Sequence, residues 1–277
     1  MNNAMISYPR HVVDVHTHIF EERYRKRVIA DTFSMDCADD LKLEYGSDGK
    51  LTSLIESVDR NNISKCFILP VSKHQDGVDQ LNDYYYQESN RDSRIVFCGT
   101  MHPEHPNLRQ AMAELKSRNA RMIKLHSIYQ RLDILSDVCL NLFREIAGLG
   151  LPVIFDTSRI PLKYLMPEDK PDFYTTPEKM VKLHEKIPDL KIVAAHGGGL
   201  FITEMERRPL IGSGIYIDIS TSCLNCDWPA NDKEKSVENF LHLINHHDED
   251  KVFFGTDSPW RSQETEINML AEFRRQE

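Results

Sequence analysis

Apolar residues crowd into eight short runs along the chain: VVDVHTH (12–18), KCFILPVS (65–72), RIVFCGTMHP (94–103), RMIKLHS (121–127), LPVIFDTS (151–158), LKIVAAHGG (190–198), GIYIDISTS (214–222) and KVFFGTDSPW (251–260). Most are near-continuous in Val, Ile, Leu and Phe, which predicts parallel strands covered on both faces. Helical periodicity fills several of the gaps. NLRQAMAELKSRN (107–119) and DVCLNLFREIAGLG (137–150) space their apolar residues at three and four, and the second stops at Gly150. TTPEKMVKLHEKI (175–187) offers Thr176 as N-cap and Pro177 in the first turn. DKEKSVENFLHLINHH (232–247) is amphipathic. The polar segment 21–50, with its YGSDGK turn signals, predicts a long loop. No Gly/Ser/Pro-rich linker divides the chain, so residues 1–277 are expected to form a single domain. Strands alternating with helices predict an α/β fold, either a (β/α)8 barrel of the TIM type or a doubly wound open sheet. Eight strands favour the barrel.

Polar residues recur at one place in these runs. His16 and His18 fall in the first, Lys124 and His126 in the fourth, Asp156 in the fifth, His196 in the sixth and Asp257 in the eighth. Each follows apolar residues near the C-terminal end of its strand, and a parallel barrel gathers those ends on one face. His16 and His18 share a strand face about two rises apart, so their imidazoles can converge on one ion. Unpaired ionisable groups are costly to bury, and a divalent metal is the economical shared partner. Imidazole and carboxylate suit zinc, and also manganese, iron or nickel.

Composition narrows the options. The chain has 277 residues, 40% of them hydrophobic, which suffices for a large core. The net charge of −9 argues against a nucleic-acid partner. No apolar stretch approaches a membrane span and the start lacks an apolar targeting segment, so a soluble cytoplasmic protein with a small-molecule substrate is expected. Oligomeric state is not legible. Six cysteines in this length make no disulfide scaffold. Cys66 and Cys98 are predicted core thiols. The single C-x-x-C pair, Cys223 and Cys226, reads as two reduced thiols in a loop.

The stretches DVHTH, IKLHS, AAHGGG and FFGTDSPW, taken in order, resemble the amidohydrolase superfamily. The nearest branch is the amidohydrolase-related metal-dependent hydrolases, which include aminocarboxymuconate-semialdehyde decarboxylase and related decarboxylases and hydratases. The resemblance runs from about residue 11 to 260 and implies a distorted (β/α)8 barrel. It implies that His16 and His18 are metal ligands. Asp257 would be a ligand that also moves the proton of the attacking water. His196 would be a second-metal ligand or a catalytic acid or base. Lys124 matches a lysine that some members carboxylate and others keep as an amine. Two departures stand out. The family has histidine where this chain has Asp156, and the chain ends at EFRRQE sooner after the eighth run than relatives do.

Other readings stay open at this point. Lys124 is either a partner for a substrate anion or a structural ion pair. His126 is a loop hydrogen-bonder or a site residue, and Trp260 a pocket wall or rim packing. Arg159 is a partner for a substrate carboxylate or a solvated surface group. The glycines at 197–199 either present amides to an anion or make a tight turn. Asp14 reads as a buried structural carboxylate. The expected function is metal-dependent hydrolysis of a small amide, ester or lactone. The runner-up is a non-oxidative decarboxylase or hydratase of a carboxylated metabolite on the same site. An inactive metabolite-binding barrel is the rival from another class. One metal held by His16, His18 and Asp257 is expected, with Asp156 close by, its ligation open, and Lys124 an unmodified amine.

Overall fold

The computed structural model describes residues 11–33, 45–159, 170–222, 226 and 232–273. The strands are β1 Val12–Thr17, β2 Ile63–Ile68, β3 Ile95–Phe97, β4 Gly99–Thr100, β5 Ile123–Leu125, β6 Val153–Phe155, β7 Ile192–Ala194, β8 Tyr216–Asp218 and β9 Val252–Phe253. The helices are α1 Glu22–Phe33, α2 Leu51–Arg60, α3 Val78–Ser89, α4 Leu108–Ser117, α5 Ser127–Gln130, α6 Asp137–Gly148, α7 Pro177–Lys186, α8 Glu204–Arg207, α9 Lys233–His246 and α10 Gln263–Phe273. Every strand pair is parallel, in the orders β1-β2-β3 and β4-β5-β6-β7-β8-β9. β3 and β4 are one run interrupted at Cys98. The series returns on itself: Val15 N donates to Phe254 O at 3.0 Å, Asp257 N to His16 O at 2.8 Å and His18 N to Ser258 O at 2.6 Å. The result is the distorted TIM-type (β/α)8 barrel.

Alternation along the strands sorts the core into two shells. Val153 and Phe155 pack outward with Ile123, Leu125, Ile192, Ala194 and Ile217 against the helices. Ile154 packs inward with Leu69, Cys98, Met122, Val193 and Ala195, and Tyr216 joins them. The inward parity of Met122, Ile154 and Tyr216 continues to Lys124, Asp156 and Asp218. The barrel interior thus runs from an apolar plug into a polar mouth.

The helical patterns at 107–119, 137–150, 175–187 and 232–247 correspond to α4, α6, α7 and α9. Thr176 caps α7, its hydroxyl accepting from Lys179 N, and Pro177 opens it. Cys66 and Cys98 are fully buried. The polar segment after β1 departs from expectation: residues 22–33 are helix, not loop. Arg, Glu and Lys are good helix formers, and Arg25 buries its guanidinium against Glu22 and Asp48 O while Ile29 faces inward. So narrow an apolar stripe leaves little periodicity to read. Of the C-x-x-C pair, Cys226 is buried and Cys223 lies outside the described residues. No described helix is long and apolar enough to cross a membrane.

Candidate metal centre

His16, His18 and Asp257 each present one ligand atom, all within 4.8 Å of one another. His16 and His18 Nε2 stand 3.5 and 3.3 Å from Asp257 Oδ1. The far nitrogens decide the chemistry. His16 Nδ1 donates to the buried Asp218 Oδ2 at 3.0 Å, and His18 Nδ1 donates to Leu69 O at 2.7 Å. Each ring is thereby fixed in the tautomer that leaves its Nε2 lone pair facing the pocket. Burial and the neighbouring Lys124 push His16 down to about 4 despite Asp218, so it stays neutral. Burial drives the Asp257 carboxyl up, but the histidines around it win and hold it below its ordinary value. Two imidazole nitrogens and one carboxylate oxygen fit a divalent cation. Lys124, fully buried, donates from Nζ to the His16 Nε2 lone pair at 3.1 Å, so the lysine and a cation compete for that atom.

A second group adjoins the first. Asp156 Oδ2 lies 3.2 Å from His196 Nε2, 3.6 Å from His126 Nε2 and 4.0 Å from Lys124 Nζ, and Asp156 Oδ1 accepts from Ser158 Oγ at 3.0 Å. His196 Nδ1 meets Ser220 Oγ at 3.0 Å and Thr221 Oγ1 at 3.1 Å. Both hydroxyl hydrogens are committed elsewhere, to Asp218 Oδ1 and Ser220 O. With the hydroxyl hydrogens so placed, His196 donates from Nδ1 as well as to Asp156, the pattern of an imidazolium. Burial opposes that charge, but Asp156, Asp257 and Asp218 outweigh burial and lift His196 to about 9. Asp156 is held well below the ordinary carboxylate range: burial works upward, and His126, His196 and Lys124 overcome it. Asp156, whose ligation the sequence left open, and His196, implied there as a second-metal ligand or a catalytic acid or base, face each other in this arrangement. Aspartate's short reach leaves its oxygens with the strand-end cations beside it.

Backbone geometry aims these side chains. The outward neighbour Ala194 sets a parity that would send His196 away from the pocket. A left-handed turn at His196 (φ 59°) and Gly197 (φ 58°) re-aims it, and a Cβ on Gly197 would sit 2.6 Å from Ser222 Cβ. Asp257 (φ 62°) and the β-branched Thr221 (φ 55°) share that uncommon conformation. Such strain gathers where a fold must hold a side chain against its preference. A Cβ at Gly255 would meet His16 Cβ at 2.9 Å and Asp218 Oδ1 at 3.1 Å, which explains the glycine of the GTD motif. The triple glycine is a tight turn: the amides of Gly198 and Gly199 donate within it, to Ala195 O and His196 O, and the buried Arg207 caps its carbonyls.

The outlying candidates divide. His126 Nδ1 accepts from Tyr129 N, capping α5, while its Nε2 faces Asp156. Trp260 is half-buried against Phe20, whose ring stacks on His18. Arg159 turns away from the site: its guanidinium donates to Glu206 Oε1 at 2.6 Å and Phe201 O at 2.8 Å, and an arginine so engaged is poorly placed for a substrate carboxylate. The sequence reading missed Asp218, Ser220 and Thr221. The signal was present, since YIDIS places a carboxylate inside a strand that otherwise reads as core.

A family model described as amidohydrolase matches residues 69–277. No curated protein sequence matches the chain. Solved structures similar to it include an uncharacterised TIM-barrel protein from Bordetella bronchiseptica (TM-score 0.72, 14% identity, 95% of this chain and 91% of that one). Another is a 5-carboxyvanillate decarboxylase from Novosphingobium aromaticivorans complexed with manganese and 4-hydroxy-3-methoxy-5-nitrobenzoic acid (TM-score 0.63, 14% identity, 96% and 91%). A third is a probable 2-pyrone-4,6-dicarboxylic acid hydrolase from Acinetobacter baumannii with citric acid bound (TM-score 0.59, 13% identity, 95% and 91%). At these identities the likeness speaks for the fold. The family match covers most of the chain, and the strand-end motifs agree with it: the chain belongs to the amidohydrolase family, in its amidohydrolase-related branch.

Proposed function

We propose that the chain is a metal-dependent hydrolase of a small amide, ester or lactone, with His16, His18 and Asp257 holding the ion. The observation that carries this reading is the pair of fixed tautomers, both aiming an imidazole lone pair at Asp257. Zinc is the first candidate; manganese, iron and nickel suit the same donors. A divalent ion bound there acidifies water and polarises a carbonyl oxygen. The remaining steps belong to side chains. Asp257, ionised at neutral pH, accepts the proton of the attacking water. His196, charged and held by Asp156, donates from Nε2 to the leaving group. Lys124 steadies negative charge developing on the substrate. Phe20 and Trp260 wall the pocket on the His18 side.

Non-oxidative decarboxylation is the second reading. The same imidazolium at His196 can protonate a carbanion, and the manganese-bound neighbour is a decarboxylase. The test is elemental analysis of the purified chain, followed by a screen of small esters, lactones and aromatic carboxylates. The screen reads acid release and carbon dioxide in parallel. Acid release supports hydrolysis, and carbon dioxide supports the second reading. A chain that takes up no metal and turns over neither set refutes both and supports the inactive binding barrel.

A further inference from the structure

The chemistry above leaves the buried carboxyl group of Asp14 unused. Asp14 lies two residues before His16 on β1 and is fully buried. Four hydrogen bonds converge on it, and all four partners donate. Oδ1 accepts from His16 N and Thr256 N, each at 3.1 Å. Oδ2 accepts from Thr256 Oγ1 at 2.7 Å and Gln263 Nε2 at 2.8 Å. Thr256 immediately precedes Asp257, whose own amide donates to His16 O at 2.8 Å. The peptide units around both residues are therefore tied to one another and to α10 through a single side chain.

We propose that Asp14 is a positioning residue for the metal centre, a brace that sets His16 and Asp257 at the separation one cation requires. The inference rests on the metal-centre reading above. An ionised carboxylate accepts only, with about four lone-pair sites, and here each of its four partners brings a hydrogen. An asparagine at 14 keeps one oxygen for the two amides but turns an NH2 group toward Thr256 Oγ1 and Gln263 Nε2. Gln263 can meet that change only by rotating, so that its Oε1, now buried without a hydrogen-bond partner, accepts from the new donor. The Thr256 hydroxyl, which already accepts from Ser258 N, then loses the acceptor for its own hydrogen and must turn away from residue 14, which loosens the tie between β1 and the peptide before Asp257. Groups that orient metal ligands typically govern about 10–100-fold in metal affinity.

The test titrates the metal-free full-length chain with Mn2+ alone, well below its melting temperature, by calorimetry and by the resonance signal of the free ion. Wild type is compared with His16→Ala, Asp14→Asn and Thr256→Val, each first checked for folding by circular dichroism. The expected result is about one equivalent bound by wild type, none by His16→Ala, and binding weakened about 10–100-fold by Asp14→Asn. Thr256→Val, which removes only the hydroxyl bond, should weaken it about threefold or more. A merely structural carboxylate would lower the melting temperature and leave affinity unchanged. Folded Asp14→Asn binding within about twofold of wild type overturns the proposal while the metal centre stands. If Asp14→Asn does not fold, unchanged affinity in the nearly isosteric Thr256→Val overturns it instead. Wild type that binds no Mn2+, or His16→Ala that binds like wild type, overturns the metal-centre reading and this inference with it.

Discussion

Two halves of one pocket hold the same residue types in opposite ways. On the side of β1, both histidines spend Nδ1 on a fixed acceptor and turn Nε2 toward the pocket, where Lys124 meets that of His16 and Asp257 faces both. On the side of β5, β6 and β7, His196 donates from both nitrogens, and Asp156 faces His196, His126 and Lys124. The first half has a donor set that could hold a cation; the second pairs a carboxylate with the charged groups around it. What separates them is the partner on the far nitrogen: a carboxylate or carbonyl behind His16 and His18, committed hydroxyls behind His196.

The largest effect is expected where the first half is removed. His16→Ala combined with His18→Ala should take metal content from about one equivalent to none while circular dichroism stays near wild type. Full occupancy by elemental analysis would contradict the assignment. Asp257→Asn should then lower turnover by about 10²–10⁴-fold, the usual worth of a positioned base, because an amide does not accept the proton at neutral pH. Near wild-type rates on any identified substrate would remove Asp257 from that role. Asp218→Asn sharpens the comparison, since the His16 tautomer depends on that carboxylate. Metal affinity should fall about 10–100-fold, measured by competition with a chelator.

The smallest effect tests the charged half. His196 stands at about 9 against an ordinary 6.5. Its contribution to stability is therefore complete below about 6.5 and is lost as pH rises through about 9. Melting temperatures across that window should decline in wild type. In Asp156→Asn the decline should flatten, because the carboxylate that holds the proton is gone. An unchanged slope would mean that His196 is not held charged by Asp156.

The barrel was legible because both strand faces are buried, which writes strands as unbroken apolar runs, and because the polar mouth interrupts those runs at their ends. His16, His18 and Asp257 stood out for that reason. α1 did not, since its residues satisfy one another locally and bury little apolar surface. Asp218 was hidden by its setting, as a carboxylate inside an apolar strand carries no mark of what lies across the barrel. Arg159 drew attention by position alone, and its partners come from the chain more than forty residues on, at Phe201 and Glu206.

Residue type and strand parity are local properties, so the sequence by itself determined the fold class, the inward direction of Lys124 and Asp156, and the convergence of the first-strand histidines. Tautomer and charge are not local. Whether an imidazole is a bare donor or an imidazolium depends on which acceptor or hydroxyl meets its second nitrogen. Those partners, Leu69 O, Asp218 and Ser220, arrive from other strands. Only the closed barrel, joining β9 back to β1 and turning His196 inward through a left-handed residue, decided which histidines can hold a metal and which one carries a proton.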